Sequence, residues 1–261
     1  MGASRVSSSD EKTGSRKKRR PGVKIRPRKI VGRLVQKATK RPGAPPGTLV
    51  HTGERKIEST LIRLIDYDAE TMVERTLDDI AECFPMADDP PVTWVNIDGL
   101  HDVELFERIG EHFDFNRLAL EDVLSPNQRP KVEDYETHFL AVLKMLYFDN
   151  ETESVVSEQF SFLVGATYLF SFQERRGDVF EPIRERLREG RPRIRSRGTD
   201  YLAYALIDAI VDSYFRILEE IGNRIEDLGE AVLVDPSMAN MHRIHHLRGE
   251  MLVVRRAMWS L

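Results

Sequence analysis

Two pairs of carboxylates stand where carboxylates are costly. Asp208 interrupts an apolar series formed by Tyr201, Tyr204, Val211, Phe215 and Leu218. An acid at such a seam is expensive unless it is paired with, or bound to, a cation. Asp212 follows one turn later, so both acids project on neighbouring lines of one helical face. Glu121 and Asp122 form the second pair, and Asp122 lies four residues from Leu118 and tends toward its face. Oxygen-only donors of this kind suit hard cations such as Mg2+ or Ca2+. The pattern alone also admits hydrated acids on solvated faces. His242, His245 and His246 share a helix at i, i+3 and i+4, a spacing that suits zinc or nickel. They have no fourth ligand nearby and read first as surface histidines. Seven arginines crowd residues 184–197. They read as an exposed loop, with a phosphate- or RNA-binding arm as the functional alternative. No aromatic residue interleaves them, so base stacking is unsupported and no nucleic acid is expected as a partner. There is no Gly-rich phosphate loop, HExxH or GxSxG motif, so the chain reads as a non-enzyme.

The elements that must position these acids follow from local pattern. The run 48–52 and the run 57–65 read as strands around Gly53, followed by a short strand at 72–75 and a helix at 77–84. Residues 92–97 are β-branched and largely apolar and form a strand. Val103, Phe106, Ile109 and Phe113 recur at helical spacing. Asn116 can cap a second short helix, which carries Glu121 and Asp122 and stops at Ser125-Pro126. Three apolar runs, 139–148, 158–164 and 167–172, suggest an antiparallel meander before a helix at 179–188. Thr199 or Asp200 caps a long helix, broken at Asp235-Pro236-Ser237 and resumed through Met241, Ile244, Leu247, Met251, Val254 and Met258. Such helices should pack antiparallel through heptad-like seams. The expected class is α+β, one sheet covered by helices.

Composition narrows the function classes. The 261 residues carry a net charge of −4, but residues 1–41 hold +13 and the remainder −17. The basic segment has no aromatic residue and too little apolar surface to offset its ordering entropy, so a disordered tail is expected. The expected organisation is a tail at 1–43, a sandwich at 44–198 and a helical hairpin at 199–261. An arm for nucleic acid or anionic lipid is the functional alternative for the tail. One cysteine, Cys83, excludes a disulfide framework and any Cys-rich zinc site. No run approaches 18 apolar residues, and the N-terminus has no secretory h-region. The second long helix stops in mid-pattern without a C-cap, which reads as a truncated chain.

Six segments in order carry a resemblance: residues 45–50 (PPGTLV), 93–99 (TWVNIDG), 120–124 (LEDVL), 128–133 (QRPKVE), 172–180 (FQERRGDVF) and 200–209 (DYLAYALIDA). Together they resemble the cytoplasmic domain of CorA magnesium channels, collinearly from about residue 44 onward. The resemblance implies an α/β/α sandwich with a mostly antiparallel central sheet, followed by two long antiparallel helices. It implies a homopentameric funnel at the cytoplasmic face of the inner membrane, with transmembrane segments and a Gly-Met-Asn signature that this chain does not contain. It implies a regulatory Mg2+ between neighbouring protomers, for which Ca2+, Co2+ or Zn2+ substitutes. Position by position, Asp122 corresponds to the principal acidic ligand, and Glu121 and Asp208 to ligands of a second ion. The resemblance supports Asp212 less directly. The partner acid lies beyond Leu261, so the site would be half-built here. Zinc-transporting members share the fold, which leaves a zinc transporter domain as an alternative function.

Overall fold

A computed structural model describes residues 1–2, 43–87, 92–150 and 152–259. The expected disordered tail falls almost wholly outside the described residues. Among the described residues seven strands form one sheet: β1 (Leu61–Tyr67), β2 (Met72–Leu77), β3 (Val92–Asp98), β4 (Lys131–Asp134), β5 (Phe139–Asp149), β6 (Ser154–Val164) and β7 (Tyr168–Gln173). Their order is β2-β1-β3-β7-β6-β5-β4. Every neighbouring pair is antiparallel except β3 and β7. The parallel pair sits at the centre, where strands must be apolar on both faces. Accordingly β3 is buried from Thr93 to Asp98.

Strand alternation divides the interior into two cores. On one face Trp94, Leu143, Phe160, Phe162 and Leu169 meet Phe180, Ile183, Leu202, Leu206, Ile210 and Tyr214. The helices there are α4 (Glu181–Arg188), α6 (Thr199–Val234) and α7 (Met238–Met258). On the other face Val95, Ile97, Leu140, Leu163, Phe170 and Phe172 meet α2 (Val103–Phe113) and α3 (Arg117–Val123). This is an α/β/α sandwich with two long helices following the sheet. They run antiparallel, with Arg224 reaching Glu250 and the Asn240 amide donating to the Ala231 carbonyl at 3.4 Å. Ser237 Oγ caps α7 by accepting from Asn240 N.

Several local expectations change. Residues 48–52 form no strand; Thr52 N instead donates to Leu124 O, which ties this loop to the end of α3. The expected helix at 77–84 is a single 3-10 turn, Ile80–Cys83, with a short α1, Phe84–Ala87. Thr199 does not cap α6; its hydroxyl donates to Gly165 O at 2.8 Å. The arginine run is not a loop. It builds α4 and a short α5 (Pro192–Arg195); Arg184 and Arg195 are buried, whereas Arg186, Arg188, Arg191, Arg193 and Arg197 are exposed as expected. Arg184 pairs with Asp178 at 2.5 Å, with both side chains buried, and lies over the Trp94 ring. Arg188 bridges Glu74 and Glu181, and Arg195 donates to the Asp68 and Thr71 carbonyls. Arginine stems can cover apolar surface while their planar forks satisfy acids and carbonyls, which is how Arg184 and Arg195 enter the packed layer.

The seam on α6 is also rotated from its expected place. Tyr204, Phe215, Leu218 and Ile225 are exposed, as are Asp208 and Asp212. The buried line is Leu202, Leu206, Ile210, Ser213, Ile217 and Ile221. The desolvation expected to strain Asp208 is therefore absent in this chain.

Candidate metal centre

Helix α3 is a seven-residue platform. Asn116 Oδ1 accepts from Leu118 N at 2.8 Å and so starts it; Leu124 caps its end ahead of Ser125-Pro126. Ala119, Leu120 and Val123 turn into the core. Helix α2 holds the platform closely, because a Cβ at Gly110 would lie 2.5 Å from Leu120 Cδ1. The Gln159 amide, buried in β6, donates to the Asp122 and Val123 carbonyls. It thereby adds a partner at the helix end, where the Asp122 carbonyl also accepts from Ser125 N.

With those three residues inward, Leu118, Glu121 and Asp122 face outward into a groove of about 680 Å3, walled opposite by Glu133, Asp134 and Tyr135. Glu121 Oε2 accepts from Gly47 N at 2.7 Å. Gly47 sits at φ +79°, a conformation that glycine adopts without penalty, and Arg117 Nε donates to its carbonyl. Asp122 Oδ2 meets Lys131 Nζ at 2.6 Å, and the same ammonium meets Glu133 Oε1 at 2.7 Å. Tyr135 donates to the other Glu133 oxygen at 2.8 Å. The Lys131 hydrogen bond, with help from Tyr135, holds the Glu133 carboxyl below its ordinary pKa. Burial works to depress the Lys131 ammonium's pKa, but the two carboxylates outweigh it and the net direction is upward.

Glu121 and Asp122 are thus brought together as the spacing implied, on Leu118's side of the helix, though that side faces a groove and not the core. Asp208 and Asp212 are not brought to them. They lie on α6, which packs on the opposite face of the sheet. Among the described residues no group of three or more His, Cys, Asp or Glu side chains is arranged to hold a metal ion. The three histidines of α7 are exposed. The groove's donors are carboxylate oxygens, with neither thiolate nor imidazole on its walls. They fit a hard cation such as Mg2+ or Ca2+ better than zinc. Sequence reasoning missed the second wall, including Lys131 and Glu133. The available signal was their i, i+2 spacing, which puts both side chains on one side of an edge strand.

Residues 91–261 match the family described as CorA-like Mg2+ transporter protein. The cobalt/magnesium transport protein CorA of Thermotoga maritima is 41% identical over 221 residues, which cover 85% of this chain and 63% of that protein. The chain therefore spans less than two thirds of that relative's length. The soluble domain of CorA from Methanocaldococcus jannaschii superposes with a TM-score of 0.61 at 19% identity, covering 76% of this chain and 75% of that one. The ZntB cytoplasmic domain from Vibrio parahaemolyticus gives 0.54 at 15% identity, with the same coverages. At such identities the structural likeness speaks for the fold alone. Among the described residues no helix is long and apolar enough to cross a membrane.

Proposed function

The chain belongs to the CorA-like Mg2+ transporter family, and from that premise we propose that it is the Mg2+-sensing regulatory part of a CorA-type divalent cation channel. The observation that carries this reading is an incomplete coordination sphere. Glu121 and Asp122 open onto a groove at the surface, while Asp208 and Asp212 are exposed on the opposite layer. One chain cannot close a site from both sets, whereas neighbouring chains around an axis can. The regulatory ion then sits between protomers of a homopentamer at the cytoplasmic face of the membrane, with Asp122 as principal ligand. Glu121, Asp208 and Asp212 serve as further or water-mediated ligands. Mg2+ keeps most of its waters, so a shallow acidic lip suffices. Co2+ or Ni2+ accompanies Mg2+ as transported ion, and the oxygen-only lip favours these readings over a zinc exporter.

Weak sites are enough for control. Moving a two-state equilibrium from 1:99 to 99:1 takes about 5.5 kcal/mol of differential binding, or about 1 kcal/mol at each of five equivalent sites. High internal Mg2+ fills the sites and holds the ring closed; depletion restores repulsion between acidic faces and opens it. In the channel carrying its transmembrane part, Asp122→Ala should raise the Mg2+ concentration for half-maximal protection from proteolysis and for current inhibition. Wild-type protection and inhibition in that variant would remove Asp122 from the sensor.

A further inference from the structure

We propose that Lys131 is a built-in counter-ion that a divalent cation must displace from Asp122, and that it sets both the threshold and the charge selectivity of the site. The proposal rests on the reading of Asp122 as a ligand and adds a residue that the reading does not contain.

The geometry is that of an occupied cation position. Lys131 Nζ lies 2.6 Å from Asp122 Oδ2 and 2.7 Å from Glu133 Oε1. Both contacts are charge-assisted hydrogen bonds, the stronger kind. Asp122 Oδ2 is thus engaged before any ion arrives, on a side chain only 17% exposed. The strand that carries the lysine is fixed, with Lys131 in register opposite Val142 and Glu133 opposite Leu140. The ammonium is not fixed in the same way, because it ends a flexible four-carbon stem. It also has somewhere to go. When it leaves Asp122 it keeps Glu133, whose carboxylate is held in place by the Tyr135 hydroxyl on its other oxygen.

Two consequences follow from charge alone. A monovalent ion brings no more charge than the ammonium it would replace, and it gains nothing by the exchange. A dication gains the second charge, so the exchange favours Mg2+ over Na+ or K+. The ammonium also raises the concentration of Mg2+ needed, because its positive charge beside the ligand opposes the ion's arrival. Lys131 is therefore a positioning residue of the sensor and never a ligand.

The test uses the full chain with Mg2+ alone, and NaCl of equal ionic strength as control. Thermal stabilisation is titrated in wild type and in the Lys131→Met, Lys131→Arg and Asp122→Asn variants. Lys131→Met should lower the Mg2+ midpoint about tenfold, equivalent to about 1.4 kcal/mol. Lys131→Arg, which keeps the charge, should stay close to wild type. Asp122→Asn should erase the response. Amine acetylation read by mass spectrometry then follows the ammonium directly, with no variant at the lysine. Mg2+ should raise Lys131 labelling in wild type, NaCl should not, and in Asp122→Asn labelling should be high from the start. Should Asp122→Asn erase the Mg2+ response while Lys131→Met leaves the midpoint unchanged and labelling is insensitive to Mg2+, the counter-ion proposal fails and the sensor reading stands. An undiminished Mg2+ response in Asp122→Asn would overturn both. If Lys131→Met fails to fold, Lys131→Gln replaces it; if neither folds, the wild-type labelling decides, and labelling insensitive to Mg2+ overturns the proposal.

Discussion

Glu158 shows how one buried acid shapes the pH response of the fold. Its side chain lies in the interior of β6, where Arg175 N donates to it at 2.8 Å. Burial is the main cause that pushes its pKa from 4.5 up to about 7, and the nearby Glu174 charge adds to it. The folded state then holds the proton more tightly than the unfolded chain. The stabilisation from this group is present at acid pH and is lost as pH rises from about 4.5 to about 7. Asp98, pushed up to about 6 chiefly by burial, works in the same direction. Glu158→Gln keeps an acceptor for Arg175 N and removes the charge. The variant should exceed wild type in stability at pH 8 by about 1–3 kcal/mol, and the difference should close toward pH 4.5. Thermal melts across pH 5–8 measure this, and parallel curves for the two proteins would rule Glu158 out as the cause.

At the scale of elements, the candidate lip depends on how closely α3 lies against α2. Gly110 is where the two helices touch, and the atom that an added Cβ would meet is the tip of the buried Leu120 side chain. Gly110→Ala gains up to about 1 kcal/mol of helix propensity while asking for a small shift of that tip, so it should be near neutral. Gly110→Leu has no such escape, and overpacking costs roughly 1–3 kcal/mol. It should also lift α3 away from the 45–48 turn and break the Glu121–Gly47 hydrogen bond. Urea denaturation reports the first effect, and faster proteolytic cutting near Gly47 reports the second. Unaltered stability in Gly110→Leu would show that α2 and α3 are looser than the close contact implies. Helix α6 carries the complementary lesson. It is apolar on two faces, and packing against the sheet, anchored at β5 by the Tyr214 hydroxyl donating to the Lys144 carbonyl, selects the one that is buried.

Across the whole molecule the governing quantity is charge. Residues 42–261 carry −17, and two like charges about 4 Å apart near a protein surface cost about 4 kcal/mol. On the proposed reading Mg2+ reverses that sign at the faces where neighbours meet, whereas a monovalent salt only screens. Self-association followed by sedimentation velocity should therefore rise with Mg2+ beyond the level reached in NaCl of the same ionic strength. Asp122→Ala should remove the excess. Equal association in the two salts would leave screening as the whole effect.

Periodicity and composition by themselves determined the helices at 103–113 and 117–123, the meander of β5, β6 and β7, the break at Asp235–Ser237 and the adjacency of Glu121 and Asp122, because each depends on neighbours along the chain. The six motifs carry the family resemblance in the sequence itself. Other features were decided only in three dimensions. Lys131 meets Asp122 across the gap from α3 to β4, and Gly47 meets Glu121 across 74 positions. Asp208, which the pattern placed at a buried seam, faces solvent because α6 turns its Leu202–Ile221 line to the sheet. Of the arginines in 184–197, Arg184 and Arg195 are buried because Asp178 and the carbonyls of the β1–β2 turn come to meet them, while the other five stay exposed as the pattern implied. In each case the partner lies on another element, near in sequence for Asp122 and Lys131 and far for Glu121 and Gly47, and local propensity contains no term for a contact between elements that exists only once they have packed.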